Sequence, residues 1–126
     1  MSSPSSAQTA QTLQHHLQSF YAGDVEAIMA DFAADAVLIT PDGPLYGQAQ
    51  MRPVFETFVT QILPPGSPLT IIKQIIEGEI AYLLWAGESA QYRISWGTDT
   101  FVIRAGKIVA QTFAAQMEAK NPTARG

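Results

Sequence analysis

The 126-residue chain has no cysteine, which excludes a disulfide scaffold, thiol catalysis and cysteine-ligated zinc. Charge is also scarce, at 14% of residues against a usual value of about 25%. So little charge implies that more surface than usual is covered, in a pocket or against another subunit. The balance is acidic, seven Lys and Arg against eleven Asp and Glu, for a net charge of −4. No basic stripe is present to follow a phosphate backbone, so nucleic acid is not an expected partner. No apolar run approaches the roughly 20 residues that a membrane span needs, and no membrane partner is expected. Residues 1–11 are rich in Ser, Thr and Gln and have neither the basic nor the apolar stretch of a secretory signal, which makes the cytoplasm the expected address. A glycine-rich phosphate loop, a serine nucleophile elbow and zinc-type histidine spacing are all missing. No cofactor and no metal are expected.

Hydrophobic residues make up 47% of the chain, enough for one self-sufficient core. The reading is a flexible tail over 1–10, a single domain over 11–118 and a second flexible tail over 119–126. Leu13, Leu17, Phe20 and Tyr21 recur at helical spacing, and Gly23 and Asp24 end that helix and cap the next. Val25, Ile28, Met29 and Phe32 make one stripe of a second, short helix. A β-branched run over 36–40 meets Pro41-Asp42-Gly43-Pro44, a strong turn, and 45–47 is a candidate short strand. A third helix shows Met51, Phe55, Phe58 and Ile62 on one face, with Pro53 expected in its first turn. Pro64-Pro65-Gly66-Ser67-Pro68 stops it. Four strands follow, over 69–76, 80–86, 92–104 and 108–117, with hairpin chemistry at Ala105-Gly106. Helices first and long strands after argue α+β, not a doubly wound parallel sheet. Tyr82-Leu83-Leu84-Trp85 is apolar at every position, so that strand is expected to be covered on both faces. That coverage and the low charge together predict a homodimer.

Residues 13–48 read Leu-x3-Leu-x2-Phe-x2-Gly-Asp, Ile-Met-x2-Phe-x2-Asp-Ala-Val and Pro-Asp-Gly-x3-Gly-Gln, and 99–109 read Asp-Thr-Phe-Val-Ile-Arg-Ala-Gly-Lys-Ile-Val. This pattern resembles the SnoaL-like and ketosteroid-isomerase-like branch of the nuclear-transport-factor-2-like superfamily, over about residues 11–117. The resemblance implies a cone-shaped, strongly bent antiparallel sheet wrapped around three N-terminal helices, the cystatin-like α+β barrel. It implies an open end that forms a pocket and, in many members, dimerisation through the outer sheet face. The superfamily holds isomerases, polyketide cyclases, dehydratases, epoxide hydrolases and non-catalytic binding modules, among which fold alone does not choose.

Asp99 stands mid-strand between Thr98 and Thr100, where an ionised, unpaired carboxylate is costly. It resembles the isomerase aspartic acid that stays protonated and donates to an oxyanion, a worked case of a neutral acid in an apolar site. The alternative is a structural Asp at a sheet bend beside Gly97. His16 lies three residues after Leu13 and four before Phe20, on the core face of its helix, and by the resemblance falls where the isomerases place an oxyanion-hole tyrosine. The alternative is a hydrogen-bonded core histidine. Adjacent His15 points about 100° away and is expected to face solvent. Where the isomerase carries its general-base Asp before a proline, this chain reads Thr40-Pro41, and a hydroxyl cannot take a C–H proton without its own base. Asp42 replaces it only if the turn folds inward.

Asp99 and His16 are thus the candidate catalytic pair, and Thr40, Tyr46, Phe55, Phe58, Tyr82, Phe101, Gln111 and Phe113 the candidate ligand-binding residues. With Asp99 inward, a regular strand turns Phe101 and Ile103 inward and Trp96 outward, and Gln111, Phe113 and Ala115 share the facing side of the last strand. Two functions remain open at this point. One is a cofactor-independent isomerase, cyclase or dehydratase acting on a small apolar carbonyl compound. The other is a non-catalytic dimeric module that holds a hydrophobic ligand.

Overall fold

The helical spacing at the start of the chain is realised as α1 (Pro4–Ala22), in a computed structural model that describes residues 4–120. Residues 4–10 are therefore helix, where the sequence suggested tail. The reason is tertiary. Thr9 is buried, its Oγ1 donates to the Gly78 carbonyl at 2.7 Å, and the Gly78 N–H donates to Ser6 Oγ at 3.0 Å. The remaining expected tail residues, 1–3 and 121–126, lie outside the described part.

Gly23 ends α1 with φ +66°, a left-handed conformation that glycine adopts without cost. Asp24 then accepts the Ala27 N–H at 3.1 Å and caps α2 (Val25–Ala30). This helix is shorter than its apolar stripe suggested, because Phe32 belongs to β1 (Phe32–Thr40). The Ile108 N–H donates to the Asp31 carbonyl at 2.8 Å and Phe32 pairs with Ile108. Sheet pairing here overrides the 3.6-residue period. β2 (Gly43–Tyr46) returns along β1.

α3 (Gly47–Thr57) starts earlier than expected. Gln50 Oε1 accepts the Tyr46 N–H at 2.8 Å and so begins the helix upstream, which leaves Pro53 inside it instead of in its first turn. The chain then widens into a π-helical turn, Phe58–Ile62, closed by the Leu63 N–H on the Phe58 carbonyl at 2.8 Å.

β3 (Leu69–Glu77), β4 (Ile80–Glu88), β5 (Tyr92–Arg104) and β6 (Lys107–Ala119) form the antiparallel meander. The six strands make one sheet in the order β2-β1-β6-β5-β4-β3, with β1 running parallel to β6. Register irregularities at Ile71/Lys73, Trp85/Gly87, Ile94/Trp96 and Val102/Ile103 bend it. The helices fill the concave face, where Leu13, Ile28, Met51 and Phe55 meet Leu38, Leu83, Phe101 and Ile108 in one core. Among the described residues no helix is long and apolar enough to cross a membrane.

Candidate functional site

Asp99 lies on the pocket side of β5. It sits opposite Leu83 on one side and Phe113 on the other, and Phe101 and Ile103 are buried with it while Trp96 is 43% exposed on the outer face. Its carboxyl is held from two directions. Trp85 Nε1–H donates to Oδ1 at 2.7 Å and Gln111 Nε2–H donates to Oδ2 at 2.7 Å. These two donors favour the ionised form, and burial disfavours it. Burial wins, and the Asp99 pKa is pushed up from 3.8 to about 6. A carboxyl with that value is still mainly ionised at neutral pH and close to the operating range of a general base.

His16 lies one helix away, fully buried. Phe20, Phe32 and Phe101 meet its ring edge-on at centroid distances of 5.2, 5.3 and 5.7 Å. Asp31 anchors it, with Oδ2 2.9 Å from His16 Nδ1 and Oδ1 2.7 Å from His15 Nδ1. Burial lowers the His16 pKa and the Asp31 carboxylate raises it; burial is the larger effect, so the ring is neutral at pH 7. An ionised carboxylate only accepts, which puts the single ring proton on Nδ1 and leaves a lone pair on Nε2. His15 is mostly exposed, as its place on the helix suggested, yet it shares Asp31.

His16, Asp99 and Gln111 all line one open-mouthed pocket of about 110 Å³. An engineered apolar cavity of about 150 Å³ admits benzene, so this is room for roughly one ring, with more space toward the mouth. Phe55, Phe58, Phe101 and Phe113 supply aromatic wall, as the sequence suggested, and Leu38 and Leu83 add to it. Phe58 meets both Trp85 and Phe113 edge-on, at 6.1 and 6.0 Å.

Three expected ligand-binding residues are not in this wall. Tyr82 pairs with Ile75 and Thr100, one residue out of phase with the inward-facing Leu83. Tyr46 is 64% exposed. Thr40 is consumed by the turn: its Oγ1 donates to the Gly43 carbonyl at 3.2 Å and accepts the Asp42 N–H at 3.1 Å. Asp42 is an exposed turn residue and does not replace the missing base.

Besides Trp85, which was read only as part of an apolar strand, two contributors were not read from the sequence. One is the segment Leu63–Ser67, which borders the pocket and was read only as a helix stop. The other is Asp31. A carboxylate at a helix C-terminus opposes the helix dipole and so needs another partner, which is the signal that would have marked it. Among the described residues no group of three His, Asp or Glu could hold a metal.

The sequence profile of the SnoaL-like domain family matches residues 13–111. Among curated proteins, none matches this chain by sequence. Solved structures share the fold at low identity. An NTF2-like protein of unknown function from Mesorhizobium loti is 20% identical with a TM-score of 0.77, covering 92% of this chain and 97% of its own. A protein from Kribbella flavida, provisionally assigned as a ketosteroid isomerase, is 18% identical with a TM-score of 0.71, covering 93% and 83%. A protein with a cystatin-like fold from Methylobium petroleophilum is 18% identical with a TM-score of 0.68, covering 94% and 82%.

Proposed function

This chain belongs to the SnoaL-like domain family, and from that premise we propose that it takes a small, largely apolar carbonyl compound into the pocket and transfers a proton on it without a cofactor, as an isomerase, cyclase or dehydratase. The observation that carries this reading is the Asp99 carboxyl, buried in an apolar pocket, held by Trp85 and Gln111, with its pKa pushed up to about 6. Two hydrogen bonds fix where it sits, and burial makes it basic enough to accept a proton near neutral pH.

Asp99 takes the proton as a C–H bond of the bound molecule breaks, the electron pair moving toward the carbonyl. As a carboxylic acid it returns the proton at a neighbouring atom, so nothing is consumed. His16 Nε2 is the second group able to hold a proton in the pocket. The aromatic walls lower the local dielectric and so strengthen both interactions. Neither Thr40 nor Asp42 takes part, because both are committed to the turn.

The outer sheet face supports a second proposal, a homodimer. Ile75, Tyr82, Thr100, Thr112 and Ile39 follow one another across β3, β4, β5, β6 and β1, and Ile75 and Ile39 are 46% and 47% exposed in the single chain. A second copy would cover this uncharged row.

Deuterium wash-in tests the chemistry. Small cyclic ketones and enones are incubated with the protein in heavy water and weighed by mass spectrometry. Incorporation by the wild type, lost in Asp99→Asn, is the expected result. Ketones that bind without exchanging would instead favour the non-catalytic module, for which the missing base at Thr40 speaks.

A further inference from the structure

We propose that the ligand of this pocket carries a hydroxyl or enol O–H, and that His16 Nε2 and Gln111 Oε1 receive it. The inference rests on the pocket being a ligand site and goes further, to the polarity of the group that enters it.

Among the described residues, His16 Nε2 and Gln111 Oε1 are buried side-chain atoms without a hydrogen-bond partner. A buried polar atom left unpaired is costly, and native proteins keep few of them. Both residues line the same pocket. The two atoms also share a chemical sense. His16 gives its Nδ1 proton to Asp31, so Nε2 has only a lone pair to offer. Gln111 gives an N–H to Asp99, so its remaining amide oxygen can only accept. The nearby Asp99 oxygens already accept from Trp85 and Gln111. Apart from the second N–H of Gln111, the polar atoms that these residues bring to the pocket are acceptors. An O–H satisfies an atom that is otherwise unpaired, whereas a bare carbonyl oxygen leaves both His16 Nε2 and Gln111 Oε1 without a donor. With a volume of about 110 Å³, the pocket seats a group the size of one hydroxylated ring. A substrate that also carries the carbonyl of the proposed reaction is then a small hydroxy-carbonyl compound or its enol.

Three para-substituted toluenes separate the possibilities: p-cresol, its isostere p-xylene and the slightly larger p-tolualdehyde, each titrated into the wild-type protein and followed by Trp fluorescence and calorimetry. A pocket without polar partners prefers p-xylene, since the phenol must shed its water. The expected result is the reverse, p-cresol binding about tenfold more tightly than either of the other two, with most of that preference lost in Gln111→Met. Equal or weaker binding of p-cresol overturns the donor inference and leaves the pocket reading standing. Binding of none of the three overturns the pocket reading and this inference with it. The wild-type comparison needs no variant, so the outcome does not depend on whether Gln111→Met folds.

Discussion

Gly97 leaves the space that the Trp85 indole occupies: a Cβ at position 97 would fall 2.5 Å from both Cε2 and Cζ2 of that ring. The two residues are register partners across β4 and β5. Only with glycine there can the indole lie where its Nε1 reaches Asp99 at 2.7 Å. The glycine therefore belongs to the site, through the carboxylate it allows Trp85 to hold.

Gly97→Ala is accordingly expected to push the indole aside. The overpacking costs about 1–3 kcal/mol, measured by urea unfolding. The Trp85 hydrogen bond, which lowers the Asp99 pKa, is weakened, so Asp99 should titrate higher than in the wild type when followed by carboxyl NMR. An unchanged Asp99 titration would show that the indole does not set the carboxylate's state.

Asp99 also gives the fold a pH dependence of definite sign. Its folded-state pKa, about 6, lies above its reference value of 3.8. Between these values the folded state binds more proton than the unfolded one, so this group's contribution to stability falls as pH rises from about 4 to about 6 and is constant beyond. The shift corresponds to about 3 kcal/mol. Asp99→Asn removes it. The variant should gain on the wild type by up to that amount between pH 4 and pH 7 in paired denaturation curves, while losing proton transfer. A difference independent of pH would mean that Asp99 is not raised.

The strands and the hairpin at Ala105-Gly106 were legible in the sequence because each depends on local alternation or turn chemistry, whereas the inward side of Asp99 came from the family resemblance, since alternation alone leaves either parity open. Phe101, Gln111 and Phe113 came with that parity. Tyr82 was misplaced for the same reason, since one step along a strand inverts the face. Phe32 was misread because its backbone is recruited by Ile108 from far along the chain, which no local period reports. The link from Asp31 to His16 is likewise tertiary: only the return of the chain through Gly23 and α2 brings that carboxylate beside the first helix.

That link makes Asp31 a positioning residue with its own test. An amide at this place can donate to Nδ1, which would move the ring proton to Nε2 and remove the lone pair from the pocket. Asp31→Asn is expected to lower turnover by about 10²-fold or more with a much smaller change in KM. Nitrogen NMR of the His16 ring should show the proton on Nδ1 in the wild type and on Nε2 in the variant. If the tautomer switches and turnover stays the same, His16 carries no proton in the reaction.

The outer face makes the last prediction. Tyr82 lies in this row between Ile75 and Thr100 and away from the pocket. A charge there would be buried in a two-fold interface without a partner, a cost of several kcal/mol per subunit, while in a monomer it would rest on an open sheet surface at little cost. The wild type is expected to scatter light as a dimer at micromolar concentration and Tyr82→Arg as a monomer. Because Tyr82 is out of phase with Leu83 and Asp99, the variant should keep its affinity for p-cresol. A wild-type protein that is monomeric at that concentration would leave the apolar row without the second copy assigned to it. A Tyr82→Arg protein that is monomeric but no longer binds would show that the pocket is shaped by the partner as well as by its own chain.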